Sequence, residues 1–280
     1  MSEIKKVRMF NEDGSFLITE MKGLKFLDAI EEDVEIETNS QNIQGTDGEV
    51  PGSIDFGPFN LILRFSYKGT DIKDYKLFKS KLRSLFYKRK YYYITHSDSP
   101  GKKYAVHCNG CEIDNLTSQF GTYEVSFNVY KGYSESLYDT DQFSLSDGNW
   151  QFESGLLPDS STKYRFTDQM FEVLNGSNDT IDPRQRHRLK IIIRLDTEKG
   201  FSLINKTTGD RFDFKSTLDI NRQLTIDNGS PYMQDNTERK RCGRLTNHGI
   251  ITLNPGKNKF EVWGDVKNFD IQFIFPFIYR

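Results

Sequence analysis

The chain has 280 residues, enough for one large domain or two ordinary ones, and a formal net charge of −2 that gives no global attraction to nucleic acid or an anionic membrane. Aromatic residues reach 14%, a supply that suits strands and interfaces, and three cysteines are too few, and odd in number, for a disulfide framework. No apolar run approaches the roughly 18 residues needed to span a bilayer, and no signal-type apolar segment follows Met1-Ser2-Glu3-Ile4-Lys5-Lys6, so a soluble chain made in a cytoplasm is expected.

Lys5–Phe10 and Phe16–Thr19 read as strands joined by the turn Asn11-Glu12-Asp13-Gly14. From Leu24 to Ile36 the apolar residues Phe26, Leu27, Ile30, Val34 and Ile36 are mixed with a run of acids, Asp28, Glu31, Glu32, Asp33, Glu35 and Glu37. The spacing suits either a short strand or an extended arm. Residues 39–58 hold almost no core-forming side chains and contain Gly45-Thr46-Asp47-Gly48 and Pro51-Gly52, where turns are forced. Long structureless loops are uncommon inside compact domains, so an element that packs on a partner is expected here.

Phe59, Leu61, Leu63, Phe65 and Tyr67 then alternate with mostly polar residues, which predicts a half-buried strand. Thr70 or Asp71 can cap a helix over Ile72–Lys88. Its stripe is Tyr75, Phe78, Leu82, Leu85 and Phe86, and its other face carries Lys73, Lys76, Lys79, Lys81, Arg83, Lys88, Arg89 and Lys90. A lone amphipathic helix among strands must bury its stripe against a sheet. Further strands are predicted at Tyr91–Thr95, Lys103–Cys111 continuing through Ile113–Ser118, and Tyr123–Tyr130.

Polar sequence from Gly132 to Asp141 marks a domain boundary, giving residues 1–137 and 138–280. The second half shows short candidate strands from Phe143–Leu145 and Trp150–Phe152 through to Phe269–Tyr279. They are separated by turns such as Asn175-Gly176, Thr208-Gly209-Asp210 and Asn254-Pro255-Gly256. This spacing reads as a jelly-roll type β-sandwich. The fold class is therefore mainly β: a β-sandwich-like first domain with one α-helix, then a β-sandwich.

Little in the sequence carries chemistry. His107-Cys108-Asn109-Gly110-Cys111 has the spacing of a redox or zinc motif, but it lies in a predicted strand. Its cysteines are expected on opposite faces, with Cα atoms roughly 10 Å apart, too far for a disulfide. Cys242, His96, His187 and His248 supply no second ligand pair, so no metal and no cofactor are expected. There is no phosphate loop, no His-Glu-x-x-His and no nucleophile elbow, and no catalytic residue is assigned. The lysine-rich helix face reads as a solvated surface or as a contact for the acidic segment 28–37 of a neighbouring copy. Trp150 and Trp263 are candidates for stacking on sugars, against the commoner role of buried sandwich tryptophans. The sequons at Asn115, Asn175, Asn178, Asn205 and Asn228 read as products of Asn-rich turns.

The order of features resembles the distal tail protein (Dit) family of siphophages. The resemblance runs through Gly45-Thr46-Asp47-Gly48, the strand Phe59–Tyr67, the helix, the turn Ser99-Pro100-Gly101 and the strand ending Val125-Ser126-Phe127. In the second half it includes Phe171–Gly176, Phe201–Gly209, Leu224–Asp227 and Leu253–Asn258. It implies a homohexameric ring at the tail tip formed by the first domain, with galectin-like or carbohydrate-module-like second domains projecting outward. It also implies a hub without catalysis that docks the tail tube, the tape-measure protein, the tail-associated lysin or fibre protein, and receptor-binding proteins. DNA would transit the channel without specific binding, with no membrane insertion; the expected location is the virion tail tip, after assembly in the host cytoplasm. Gly45, Thr46, Asp47, Gly48, Asp28, Glu31 and Glu32 are then expected between subunits. The alternative is a carbohydrate-binding adhesion module using Trp150 and Trp263.

Overall fold

A computed structural model describes residues 5–12, 14–146, 149–155, 157–235 and 238–280. The chain divides into two compact units, the first reaching Ser134 and taking in Arg280, the second covering Glu135–Tyr279.

The first unit contains β1 (Val7–Asn11), β2 (Gly14–Leu17), β3 (Leu24–Glu31), β4 (Ile36–Thr38), β5 (Ile54–Phe56), β6 (Phe59–Lys68), α1 (Ile72–Phe86), β7 (Tyr92–His96), β8 (Lys102–Asn115) and β9 (Phe120–Val129). Of the predicted turn at 11–14, Asp13 lies outside the described residues. The main sheet runs in the order β2-β1-β7-β8-β9-β6-β3. Strand β6 is paired on both sides, with β9 and β3, and its alternation is strict: Leu61, Leu63 and Phe65 are fully buried, while Arg64 between them is exposed. Burying each such side chain stabilises the fold by about 1.5–3 kcal/mol.

Helix α1 starts where Asp71 accepts the Asp74 amide at 2.8 Å, and it ends two residues before the predicted Lys88. Its Tyr75, Phe78, Leu82 and Phe86 are buried on the sheet. Phe78 stacks on Tyr67 with ring centroids 3.5 Å apart, and Phe86 meets Phe127 edge-on at 5.3 Å. Tyr67 also donates to Asp74 at 3.0 Å, and burial with this bond pushes its phenol up to about 12.

The ambiguous segment from Leu24 resolves in two parts. Residues 24–31 form the edge strand β3, bulged between Phe26 and Asp28 and paired with β6. Residues beyond it leave the sheet as a ribbon, described below.

The second unit contains β10 (Ser134–Ser136, starting at the boundary), β11 (Arg165–Phe166), β12 (Met170–Asn175), β13 (Lys190–Asp196), β14 (Phe201–Asn205), β15 (Arg211–Phe214), β16 (Gln223–Asp227), β17 (Ser230–Gln234), β18 (Arg239–Arg241), β19 (Gly256–Trp263), β20 (Lys267–Ile274) and β21 (Ile278–Tyr279). One sheet runs β11-β20-β13-β16-β17-β18 and the other β12-β19-β14-β15. They meet through aromatic side chains: Phe260 and Phe273 lie 4.9 Å apart, Phe171 and Phe273 5.9 Å. This is the predicted two-sheet sandwich. The strands predicted at Phe143–Leu145 and Trp150–Phe152 do not form. Phe143 instead follows a 3-10 turn at Thr140–Gln142, and Phe143, Trp150 and Phe152 cluster as side chains without joining a sheet.

Three asparagines lock the turns that carried the family resemblance. Asn175, Asn205 and Asn258 are fully buried. Each amide mimics a backbone partner. Asn175 accepts from Ser177 N at 3.0 Å and donates to Leu253 O at 2.9 Å; Asn205 accepts from Thr207 N at 3.0 Å and donates to Thr252 O at 2.8 Å. Asn258 accepts from Asn254 N at 2.9 Å and donates to Asn254 O at 2.7 Å. An Asx-type bond of this kind satisfies turn groups that no strand can reach.

Candidate functional site

The segment expected as a partner-binding loop is a projecting β-ribbon. Strands β4 and β5 pair antiparallel, Ile36 opposite Phe56 and Thr38 opposite Ile54, and the bridge Gln41–Val50 extends the ladder toward the tip. The turn at the tip holds Gly45 and Gly48 at φ 89° and 79°, a left-handed backbone that side chains rarely adopt. Gly45, Thr46, Asp47 and Gly48 are all exposed, and Thr46 donates from both its amide and its hydroxyl to Ile43 O.

Cross-strand register gives the ribbon two different faces. Ile36, Thr38, Ile54 and Phe56 share one face; Glu37 and Asp55 stand directly opposite each other on the second. Ile36 and Ile54 are 61% and 60% exposed, and Phe56 holds the Arg280 guanidinium 4.0 Å from its ring centre. A two-stranded ribbon is marginal alone, and opposed carboxylates weaken it further. An apolar face beside an acidic one is thus left without enough internal support.

The other acids expected between subunits are tied within the chain. Asp28 takes a two-pronged hydrogen bond from Arg64, which holds its carboxyl below the usual range. Glu31 accepts from Tyr104 at 2.5 Å, and Glu32 from Asn60 at 2.8 Å. The sequence placed the acids of 28–37 together; the structure ties Asp28, Glu31 and Glu32 to residues of the main sheet, while on the ribbon Asp55 accepts from Asn39 Nδ2 at 3.1 Å.

The cysteine motif requires a correction. The β8–β9 ladder shifts register between Cys108 and Gly110, so Cys108 stands opposite Phe127 and Cys111 opposite Val125. Because Phe127 and Val125 face the core, both cysteines point to the same side, not to opposite faces. Both thiols are free. Burial pushes the Cys108 thiol up to about 11 and raises that of Cys111, which keeps them protonated and poor nucleophiles. Among the described residues no group of three His, Cys, Asp or Glu side chains could hold a metal.

The two tryptophans differ. Trp150 packs against Phe143 and Phe277, with ring centroids 5.1 and 5.2 Å away, and its indole N–H is buried without an acceptor. Trp263, at the end of β19, is 48% exposed, with the Lys206 ammonium 5.6 Å from its ring. Beside it stand Ser202 and Asp213, joined at 2.6 Å, and Arg211, paired with Asp213 at 2.7 Å. The sequence did not distinguish these two tryptophans, since exposure depends on which end of which strand each occupies.

Residues 13–129 match the model of the phage tail protein RIFT-related domain family. A comparison with curated protein sequences found no significant match. Among solved structures the chain is similar to the distal tail protein of phage SPP1, described as a paradigm of the hub adsorption apparatus in phages infecting Gram-positive hosts. The TM-score is 0.67 at 14% identity, over 98% of this chain and 100% of that one. Two structures of the phage P2 baseplate in its activated conformation, with Ca and with Sr, align at TM-scores 0.45 and 0.44, each at 10% identity and over 98% of both chains. Residues 13–129 are thus similar to the phage tail protein RIFT-related domain family, and over its whole length the chain has the fold of the SPP1 distal tail protein.

Proposed function

We propose that this chain is a structural hub of a siphophage or prophage tail tip. Copies associate through the first unit into a homohexameric ring that joins the tail tube to the tape-measure protein, the tail-associated lysin or fibre protein and receptor-binding proteins, and DNA passes through its channel. It works by assembly, without catalysis. The observation that carries the reading is the ribbon of residues 36–56: exposed Ile36 and Ile54 on one face, Glu37 opposite Asp55 on the other, on an element too slight to be ordered by its own contacts. A contact of one patch with a different patch on the next copy closes a ring when the rotation fits. A near-neutral chain also suits DNA transit, because dense cationic walls would hold phosphates.

The test is assembly of the full chain with residues 44–54 deleted. The far-UV circular dichroism should stay that of a folded β protein, while native mass spectrometry should show loss of the hexamer. A wild-type chain that remains monomeric at all concentrations and with its tail partners refutes the ring.

Exposed Trp263 supports a second reading, a glycan-binding face on the second unit. Binding of cell-wall polysaccharide that is lost in Trp263→Ala supports it; no binding by the wild type removes it.

A further inference from the structure

Building on the hub reading, we infer where the ribbon lands: in a groove along the β2 edge of the first unit of the next copy. The groove encloses about 490 Å³, with Met9 and Phe16 on its apolar side and Lys88, Arg89 and Lys90 along its rim. Phe16 is 42% exposed, and the three cations are exposed, with no ion pair to any described residue.

Three observations select the ribbon as its occupant. The first is charge. From Phe26 to Leu63 the chain has no Lys, Arg or His, and the ribbon presents Glu35, Glu37 and Asp55, whereas the groove rim is a run of three cations. Glu37 opposite Asp55 is unfavourable in an isolated ribbon and is relieved by facing cations. The second is apolar matching. Ile36 and Ile54 need cover, and Met9 and Phe16 offer an apolar floor beside the charged rim, so one docking satisfies both faces.

The third is topology. The ribbon is inserted between β3 and β6, at one end of the sheet, and β2 is the terminal strand at the other end. Donor and acceptor therefore belong to opposite ends of the pairing order, in a sheet that curls until Lys5 Nζ reaches Leu27 O at 2.6 Å and the Phe26 and His96 rings lie 6.1 Å apart. Being different patches, they make a heterologous contact, the kind that closes a ring when the rotation fits.

The test uses the full chain and native mass spectrometry at several ionic strengths. Lys88→Glu, Arg89→Glu and Lys90→Glu together should weaken assembly at least about tenfold without changing the melting temperature, since all three are exposed. Adding Glu35→Lys, Glu37→Lys and Asp55→Lys should restore it. Mixing the rim-reversed chain with the chain lacking residues 44–54 should yield a one-to-one dimer and no ring, because one donor and one acceptor remain. If the rim-reversed chain assembles like the wild type, or the combined charge swap rescues nothing, the groove is not the acceptor. That outcome is distinct from failure of the ring itself, which a monomeric wild type would reveal.

Discussion

Replacing Asn258 by Ala tests whether buried asparagines hold the second unit together. Asn258 is fully buried, and its amide holds Asn254 from both sides, accepting from N at 2.9 Å and donating to O at 2.7 Å. Longer bonds reach Gly256 O at 3.2 Å and the Asn205 amide at 3.3 Å. Truncation strands the two short-bonded backbone groups, each costing about 1–2 kcal/mol when buried and unpaired. The weaker pair adds a fraction, so the expected loss is about 3 kcal/mol. For a unit of this size that lowers the melting temperature by about 6–12 °C. Both tryptophans of the chain, Trp150 and Trp263, lie in the second unit, so tryptophan fluorescence reports its unfolding separately from the first. Asn221→Ala, at an exposed position, is the control and should stay within about 0.5 kcal/mol of wild type. An Asn258→Ala chain as stable as that control would refute the account of the turns.

Asp71→Ala removes the side-chain cap of α1 and should cost about 1 kcal/mol, read as faster amide exchange over Tyr75–Leu82 with the fold intact. His96 is buried against Tyr104, with neither ring nitrogen hydrogen-bonded, and burial lowers its pKa from 6.5. The unfolded chain therefore binds this proton more readily. Stability of the first unit should fall as pH drops below about 6.5 toward the lower folded value, and His96→Phe should flatten that dependence in pH-resolved urea unfolding. Trp150→Ala should cost about 3 kcal/mol through lost aromatic packing, whereas Trp263→Ala should change stability by less than about 1 kcal/mol, by thermal melting followed with circular dichroism.

The sequence by itself determined the elements whose pattern is local. Strict alternation over Phe59–Tyr67 and the three-four spacing of Tyr75, Phe78, Leu82 and Phe86 specify a strand and a helix without reference to the rest of the chain. The turn motifs of the second half were legible too, because Asn and Gly act on their immediate neighbours. Tertiary structure alone decided the rest. A register shift of one residue put Cys108 and Cys111 on the same face, and no local signal marks a bulge in a strand of mixed polarity. Pairing across some twenty residues turned the apparent loop at 39–58 into part of a ribbon with an apolar and an acidic face. The acids at 28–37 looked equivalent in sequence, yet Asp28, Glu31 and Glu32 are held by Arg64, Tyr104 and Asn60, all distant along the chain. That division leaves Glu35 and Glu37 at the base of the ribbon facing Asp55 across it, a juxtaposition that only the β4–β5 pairing creates. Side-chain partners set by long-range pairing are invisible to periodicity, since periodicity records only the face a residue occupies.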